Sequence, residues 1–191
     1  MPSGRPNIIS PVIDLIMRIN PDSILDVGSG FGKWGFLLRE YLEVWQGQLY
    51  PEDWKKRIDA IEIFKEYTKL PWYAIIYNNI YNQDITKNNE ILANYDLVLF
   101  MDVIEHIEKE EGLKMLKKAK HYIVSTPNYI SGQGTMFGNI YETHISQWSQ
   151  NDFKKSAIIN DKWIIGYNDI KNLKIQEERY STFEFEGILK D

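Results

Sequence analysis

Short apolar runs alternate with segments of helical periodicity along this chain. Four runs have the length and composition of strands buried on both faces, and polar residues bound each of them: 23–27, 58–64, 73–77 and 96–102. A fifth run, 121–127, is stopped by Pro127. Strands buried on both faces belong to parallel sheets, so the pattern predicts an α/β fold with a doubly wound, mostly parallel sheet.

Three helices are predicted between the runs. Ser10-Pro11 precedes apolar residues at helical spacing, which indicates a capped helix with Pro11 at its first position and an end at Asn20-Pro21. A second helix follows the glycine-rich turn 28–32, and a third covers about 109–120. Residues 156–168 predict an antiparallel hairpin that turns at Asn160-Asp161 and closes the sheet.

No repeat or flexible linker divides the chain, and 191 residues suit one domain. We expect an N-terminal helix in 1–22, a core in 23–153 and a closing hairpin and tail in 154–191. The connection 44–57 is longer than usual and carries its own aromatic residues. Either a lid or a cover for a sheet edge would explain it.

Composition narrows the class of protein. No apolar run approaches the roughly 20 residues of a membrane span. The first residues, MPSGRPN, show neither a long apolar segment nor a cleavage-type pattern, so we expect a protein that is not exported. The absence of cysteine suits a reducing compartment, so we expect a cytoplasmic monomer or homodimer without membrane contact. Because the net charge is −5, we do not expect a nucleic-acid partner. The lysines of 109–120 alternate with apolar positions, which is typical of a solvated helix face.

The glycine-rich turn indicates a ligand. Gly28, Gly30 and Gly32 permit close backbone approach, but Lys33 stands where a dinucleotide-binding loop has glycine, and the phosphate-loop pattern is absent. Glu62, at the end of the second predicted strand, is placed to accept both hydroxyls of a ribose. Its apolar neighbours indicate burial, and a buried carboxylate without a partner is costly. The pattern therefore favours an adenosine-containing ligand that lacks a pyrophosphate.

From residue 23 to residue 153 the sequence resembles the class I S-adenosylmethionine-dependent methyltransferases. The resemblance is carried, in order, by ILDVGSGFG, the acid of AIEIF, YNQDI, YDLVLFMDVIEHI and VSTPN. It implies a seven-stranded Rossmann-like sheet and S-adenosyl-L-methionine (SAM) as cofactor. Because the sequence offers no cysteine ligands and no recognisable nucleic-acid module, we expect methyl transfer to an oxygen or nitrogen of a small or medium-sized molecule.

The resemblance also implies roles for individual residues. Around the methionine part of SAM it places Asp26, Gly28, Ser29, Gly30 and Gly32; at the ribose, Glu62 with Ile63; at the adenine, Asp84 with Ile85; and on the other side of the cofactor, Met101 and Asp102. An equally simple interpretation of Asp84 is that it is a turn residue. Gly35, inside the second helix, is better explained by close helix packing than by ligand contact.

Two histidines are candidate proton acceptors. A positively charged sulfonium already activates its methyl group, so the protein must position the acceptor and, for a weakly acidic one, remove a proton. We favour His144, which follows the fifth run in a polar and aromatic segment, over His106, which could also be a structural histidine. His121 begins a run and is most simply structural.

Two alternatives stay open. Asp102, Glu105 and His106, followed by His144 and Trp148, resemble the metal site of small-RNA 2′-O-methyltransferases, although aspartate replaces glutamate at the first position. Oxygen and imidazole ligands would suit magnesium or manganese. The main expectation is a reaction without a metal. The second alternative is a non-catalytic subunit that binds SAM.

Overall fold

The computed structural model describes residues 5–129, 132–159 and 162–168. Its described strands form one sheet in the order β3-β2-β1-β4-β5-β7-β6. The strands are β1 Ser23–Val27, β2 Arg57–Ile61, β3 Ile80–Tyr81, β4 Leu97–Met101, β5 Tyr122–Pro127, β6 Lys155–Ile159 and β7 Trp163–Tyr167. Among them β7 runs against its neighbours β5 and β6, and the other pairings are parallel. The predicted seven-stranded α/β fold with an antiparallel hairpin is confirmed.

Helices cover both faces of the sheet. On one face lie α1 Ile9–Ile19, α2 Lys33–Leu42 and α3 Tyr73–Ile76, which enclose a core that includes Ile24, Leu97 and Ile123. On the other face α4 Lys109–Lys118 and several short 3₁₀ turns enclose Leu25, Val98 and Val124. Successive strand residues thus feed opposite cores, which explains why the strands are apolar at almost every position.

The prediction of a strand over 73–77 was wrong. These residues form one helical turn in which Tyr73, Ile76 and Tyr77 are buried and Ala74 and Ile75 are exposed, the i, i+3, i+4 pattern of a helix face. Five apolar residues in a row fit either structure, and length alone does not separate them. The third strand is β3, two residues long, and begins only at Ile80.

Two features of the ends of elements also differ. Ser10 is not a helix cap: a 3₁₀ turn at Pro6–Ile8 leads directly into α1, whose N-cap is Ile8. Asn20 does end α1, in a left-handed conformation. The predicted hairpin is β6 with β7, and its turn at 160–161 lies outside the described residues.

The connection 44–57 does not cover the carboxyl ends of the strands. Glu43, at the end of α2, accepts hydrogen bonds through its Oε1 atom from the backbone N–H groups of Lys55 and Lys56, and Arg39 lies 4.5 Å from the ring of Trp54. The connection then enters β2 at its first residue, Arg57. The connection therefore packs at the amino ends of the strands. It can cover that edge of the sheet, but it cannot form a lid over the carboxyl ends.

No helix within the described ranges is long and apolar enough to cross a membrane.

Candidate functional site

A cavity of about 380 Å³ opens where β1, β2 and β4 end. Val27 of β1 lies level with Ile61 of β2 and Phe100 of β4, so the residues that follow these strands meet at one edge of the sheet. The chain order reverses here, because β1 has β2 on one side and β4 on the other. Crevices at such a reversal are the usual ligand sites of open α/β sheets.

Eight of the eleven residues that the resemblance assigned to the cofactor line this cavity: Gly28, Gly30, Glu62, Ile63, Asp84, Ile85, Met101 and Asp102. The other three, Asp26, Ser29 and Gly32, face α3 instead. The hydroxyl of Tyr77 donates to Asp26 Oδ2 at 2.6 Å, and the Oγ of Ser29 lies 3.0 Å from the hydroxyl of Tyr73. A Cβ atom on Gly32 would lie 3.0 Å from the side chain of Ile76.

The glycine turn is tightly constrained. Gly28 and Gly30 have φ angles of 62° and 55°, a region that side chains disfavour, and a Cβ atom on Gly28 would lie 2.5 Å from Val103. The backbone N–H of Gly28 donates to the carbonyl of Ile61 at 2.8 Å. Glycine at both positions therefore lets the chain turn sharply between β1 and α2 and exposes its backbone to the cavity.

Glu62 joins the first two strands at the cavity floor. Its Oε2 accepts the N–H of Gly30 at 2.9 Å and its Oε1 accepts the N–H of Phe64 at 2.8 Å. The side chain is nearly inaccessible, and burial raises its pKa. The sequence had suggested that Glu62 would need a ligand as its partner, but the protein itself supplies two backbone partners. Each carboxylate oxygen still keeps a lone pair for a ligand hydroxyl.

The cavity lining is strongly acidic. Six carboxyl groups and no lysine or arginine contribute to it within the described parts of the chain: Glu62, Asp84, Asp102, Glu108, Glu111 and Glu142. Glu142 adds to the rise in the pKa of Glu62 through charge repulsion. A phosphate ligand would meet repulsion here, whereas a cation would be attracted.

Residues 132–149, which we call the covering segment, lie across the cavity. Asn139, Tyr141, Glu142 and Ile145 of this segment contribute to the lining. The N–H groups of Ile145 and Ser146 both donate to the carbonyl of Glu105, at 2.9 and 3.0 Å. At the other side of the cavity the hydroxyl of Tyr67 donates to Glu142 at 3.4 Å.

The two candidate histidines lie together beside the cavity. The ring centroids of His106 and His144 are 4.8 Å apart. His106 Nδ1 lies 3.1 Å from the carbonyl oxygen of Thr143, which can only accept, so Nδ1 carries the proton and Nε2 has a free lone pair. Burial lowers the pKa of His106 below its ordinary value, which favours this neutral form.

Glu105 completes a cluster with the histidines. Potential ligand atoms of Glu105, His106 and His144 lie within 4.8 Å of one another. Glu105 is buried, and burial raises the pKa of its carboxyl well above the usual range. A proton or a metal ion would fit this cluster.

Asp102 and Trp148, the other members of the metal-site alternative, have different partners. Asp102 Oδ1 accepts hydrogen bonds from Ser125 Oγ at 2.7 Å and from Trp163 Nε1 at 2.9 Å, and its backbone is left-handed with φ 59°. Trp148 is buried and donates to the carbonyl of Ile104 at 3.1 Å. The structure thus brings together three of the four ligands in that alternative and turns Asp102 toward β5 and β7.

Several lining residues were missed in the sequence, among them Tyr67, Gln83, Asn139 and Glu142. For Glu142 the one available signal was its position two residues before the candidate His144. The two alternatives for Asp84, a cavity residue and a turn residue, both apply. It lines the cavity, and its Oδ1 caps a turn by accepting the N–H of Thr86 at 3.0 Å. Gly35 packs against α3, since a Cβ atom there would lie 2.5 Å from the ring of Tyr77.

Comparison with solved structures confirms the predicted resemblance at the level of the fold. A protein from Pyrococcus horikoshii OT3 has 14% identity and a TM-score of 0.58, over 85% of this chain and 88% of its own. The methyltransferase domain of the bacterial protein CtHen1 has 15% identity and a TM-score of 0.56, over 86% of this chain and 98% of its own. An O-methyltransferase family protein from Burkholderia thailandensis has 12% identity and a TM-score of 0.54, over 84% of this chain.

The chain spans 56% of the length of the Burkholderia protein and 52% of that of a SAM-dependent methyltransferase from Archaeoglobus fulgidus. No family model and no curated protein matches the sequence. The similarity to known proteins is therefore one of architecture, and the activity has to be argued from the site.

Proposed function

We propose that this protein is a SAM-dependent methyltransferase that methylates an oxygen or nitrogen of a small or medium-sized acceptor. The observation that carries the proposal is the cavity at the carboxyl ends of β1, β2 and β4, with Glu62 at its floor and six carboxyl groups in its lining. Its volume of about 380 Å³ lies within the usual range for small-molecule sites. SAM supplies a methyl group on a positively charged sulfur.

The charge of the lining separates SAM from other adenosine ligands. Nucleoside triphosphates and dinucleotides carry phosphates, which six carboxyl groups and the lack of lysine or arginine among the described lining residues would repel. SAM carries a net positive charge, so the same lining attracts it. The backbone of Gly28 and Gly30 allows close approach, and the remaining lone pairs of Glu62 suit a ribose.

Calorimetric titration tests the cofactor assignment. We expect SAM and S-adenosylhomocysteine (SAH) to bind and ATP and NAD to bind at least about tenfold more weakly, because of the acidic lining. An acceptor screen that follows SAH release then tests the reaction. Equal binding of ATP and SAM would contradict the proposal, and binding of SAM with no turnover on any acceptor would favour a non-catalytic binding subunit.

The histidine pair is proposed to act on the acceptor side. His106 holds its Nδ1 proton toward the carbonyl of Thr143, so its Nε2 can accept a proton, and the ring of His144 lies beside it. An oxygen or nitrogen that gains a methyl group must lose a proton, and one of these rings can take it. Asp102 is proposed to line the cofactor cavity and not to accept the proton, because its Oδ1 already accepts hydrogen bonds from Ser125 and Trp163.

Metal-assisted 2′-O-methylation of RNA is a second candidate. The cluster of Glu105, His106 and His144 favours it, because carboxylate and imidazole ligands could hold a divalent ion. Against it, the net charge is −5, and four of the five lysines of 109–120 have carboxylate partners in Asp152, Glu111, Glu90 and Asp96. Few free cations therefore remain on that face for an RNA backbone.

Titration with manganese separates the two candidates. The first candidate predicts methyl transfer that survives a chelator. Loss of activity with the chelator, recovery with manganese and loss of manganese binding in His106→Ala would favour the metal-assisted reaction. Retained activity in the chelator on a small acceptor would exclude it.

A further inference from the structure

Two neighbouring side chains at the start of α3 hold the glycine turn from one side. The hydroxyl of Tyr73 donates to the carbonyl of Gly30. Trp72 Nε1 donates to the carbonyl of Phe31, the next residue, at 2.9 Å. Neither Trp72 nor Tyr73 is among the described residues that line the larger cavity, so a direct contact with a ligand does not explain these bonds.

The hydroxyl of Tyr73 is used both as donor and as acceptor. Tyr73 is 1% exposed, and burial raises the pKa of its hydroxyl above the ordinary value, so the hydroxyl keeps its proton. Since this proton goes to the carbonyl of Gly30, Ser29 Oγ is the donor in its 3.0 Å contact with Tyr73. Tyr73 thus joins the side chain of one turn residue to the backbone of the next.

This contact fixes a turn that its own sequence leaves free. The N–H of Gly32 donates to the carbonyl of Ser29 at 2.8 Å and closes a four-residue turn. Of the two central residues, Gly30 has a positive φ of 55° and Phe31 does not, which is typical of a type II′ turn. Glycine adopts both signs of φ about equally, so Gly30 does not select this conformation by itself. The hydrogen bond from Tyr73 selects it.

The peptide between Gly30 and Phe31 is the group that Tyr73 orients. A trans peptide directs its carbonyl and its N–H to opposite sides, and the described residues include no cis peptide. Because the carbonyl of Gly30 faces Tyr73, the N–H of Phe31 faces away from α3. Within the described parts of the chain this N–H donates to no other backbone group. It is therefore a donor that remains for a ligand, next to a glycine that lines the larger cavity.

The acidic lining makes such a donor necessary. The amino acid part of SAM carries a carboxylate, which needs hydrogen-bond donors, whereas the described lining offers six carboxyl groups and no lysine or arginine. Backbone N–H groups at a glycine turn before a helix can bind an anion without a charged side chain. The N–H of Phe31 meets this need.

We propose that Tyr73 is a positioning residue for the cofactor: by holding the carbonyl of Gly30, it aims the N–H of Phe31 at the carboxylate of the cofactor's amino acid part. The inference rests on the proposed function, because it concerns the binding of that cofactor. Trp72 assists by holding the carbonyl of Phe31. Supporting contacts of this kind keep a binding group in its productive orientation before the ligand arrives.

The test compares SAH with 5′-methylthioadenosine, which has the same adenosine and a sulfur but no amino acid carboxylate. Tyr73→Phe removes only the hydroxyl. We expect this variant to bind SAH about three- to tenfold more weakly than the wild type, the scale of one lost hydrogen bond. It should bind 5′-methylthioadenosine as the wild type does, because that ligand has no carboxylate for the N–H of Phe31. Calorimetry measures both affinities.

Tyr95→Phe is the matched control. Tyr95 is also 1% exposed, and its hydroxyl donates to Asp59 at 2.6 Å, near the amino ends of the strands and away from the cavity. Both substitutions remove a buried, hydrogen-bonded hydroxyl, so both should lower the melting temperature. Only Tyr73→Phe should change the ratio of the two affinities. Unchanged SAH affinity in Tyr73→Phe, or an equal loss for both ligands, would overturn the inference.

Trp72→Phe tests the inference even if Tyr73→Phe does not fold. Trp72 is only partly buried, and phenylalanine keeps an aromatic ring against Phe36 while it removes the donor to Phe31. We expect a smaller loss of affinity in the same direction, for SAH and not for 5′-methylthioadenosine. A wild-type ratio of the two affinities in Trp72→Phe, with Tyr73→Phe unfolded, would overturn the inference.

The two proposals fail in different ways. If the wild type does not bind SAH, the proposed function is wrong and the role of Tyr73 in cofactor binding is wrong with it. If the wild type binds SAH and the folded variants keep its ratio of affinities, the cofactor assignment stands and Tyr73 has a structural role alone.

Discussion

Glu62 and Gly30 are joined by a hydrogen bond of 2.9 Å from the backbone N–H of the glycine to Oε2 of the carboxylate. The bond connects the turn after β1 to the end of β2 and fixes the floor of the larger cavity. Glu62 thus has two roles, since it holds the turn and presents its remaining lone pairs to a ligand.

Replacement of Glu62 should weaken cofactor binding. We expect Glu62→Ala to reduce the affinity for SAH by about 1.5 to 3 kcal/mol, the usual scale for hydrogen bonds to a charged group. Calorimetry measures the loss, and Glu66→Ala, at an exposed position outside the cavity, is the control. Unchanged affinity in Glu62→Ala would remove the ribose assignment.

Glu142 should distinguish SAM from SAH. The two ligands differ by the charge on sulfur, and Glu142 is one of the carboxyl groups around the cavity. We expect Glu142→Gln to weaken SAM about threefold or more and SAH much less, because a lost negative charge matters most to the cation. Parallel titrations of both ligands at low salt measure the ratio. An equal loss for both ligands would mean that Glu142 acts through hydrogen bonds or through the covering segment.

His144 should matter more for turnover than for folding. If it removes a proton, His144→Ala should lower turnover by about 10² to 10⁴ with little change in SAH affinity or melting temperature. His144→Gln should recover little, because glutamine cannot take the proton. His121→Ala is a control at the opposite end of β5.

A large fall in the stability of His144→Ala would make this histidine structural. Wild-type turnover in that variant would move the proton acceptor to His106, which the corresponding His106→Ala variant then tests.

Asp26 should make stability depend on pH. Burial raises its pKa from 3.8 to about 7, although the hydrogen bond from Tyr77 opposes the shift. Between these values the folded protein keeps a proton that the unfolded chain has released, so the free energy of unfolding falls as pH rises, by up to about 1.4 kcal/mol per pH unit from this group. Its stabilisation is complete below pH about 4 and is lost as pH rises through about 7.

Chemical denaturation of wild type and Asp26→Asn from pH 4 to pH 8 measures that contribution. Asparagine can still accept the hydrogen bond from Tyr77, so the difference between the two proteins isolates the titration. A difference that does not change with pH would contradict the assignment.

Gly35 should tolerate no side chain. A Cβ atom there would lie 2.5 Å from the ring of Tyr77, so Gly35→Ala should destabilise the protein by about 1 to 3 kcal/mol through overpacking. Gly134→Ala, where no atom lies within 4 Å, is the control. Denaturant unfolding compares them, and equal stability of the two variants would contradict the close packing of α2 on α3.

Six of the seven strands, and the edge of the sheet at which a ligand would bind, could be predicted from the sequence. Buried parallel strands need apolar residues on both faces, and the glycines after β1 permit the sharp turn. Both features depend on residues that are neighbours in the sequence, so local patterns reveal them. Glu62 could be singled out because its acidic side chain follows directly on such a strand.

The remaining features depend on contacts between residues that are far apart in the chain. Whether 73–77 forms a strand or a helical turn depended on its packing against α2, because its five apolar residues suit both. The pairing of His106 with His144, and the arrival of Glu142 opposite Tyr67, join positions separated by 38 and 75 residues. The local sequence pattern does not predict such contacts, because they form only when the covering segment folds back over the ends of the strands.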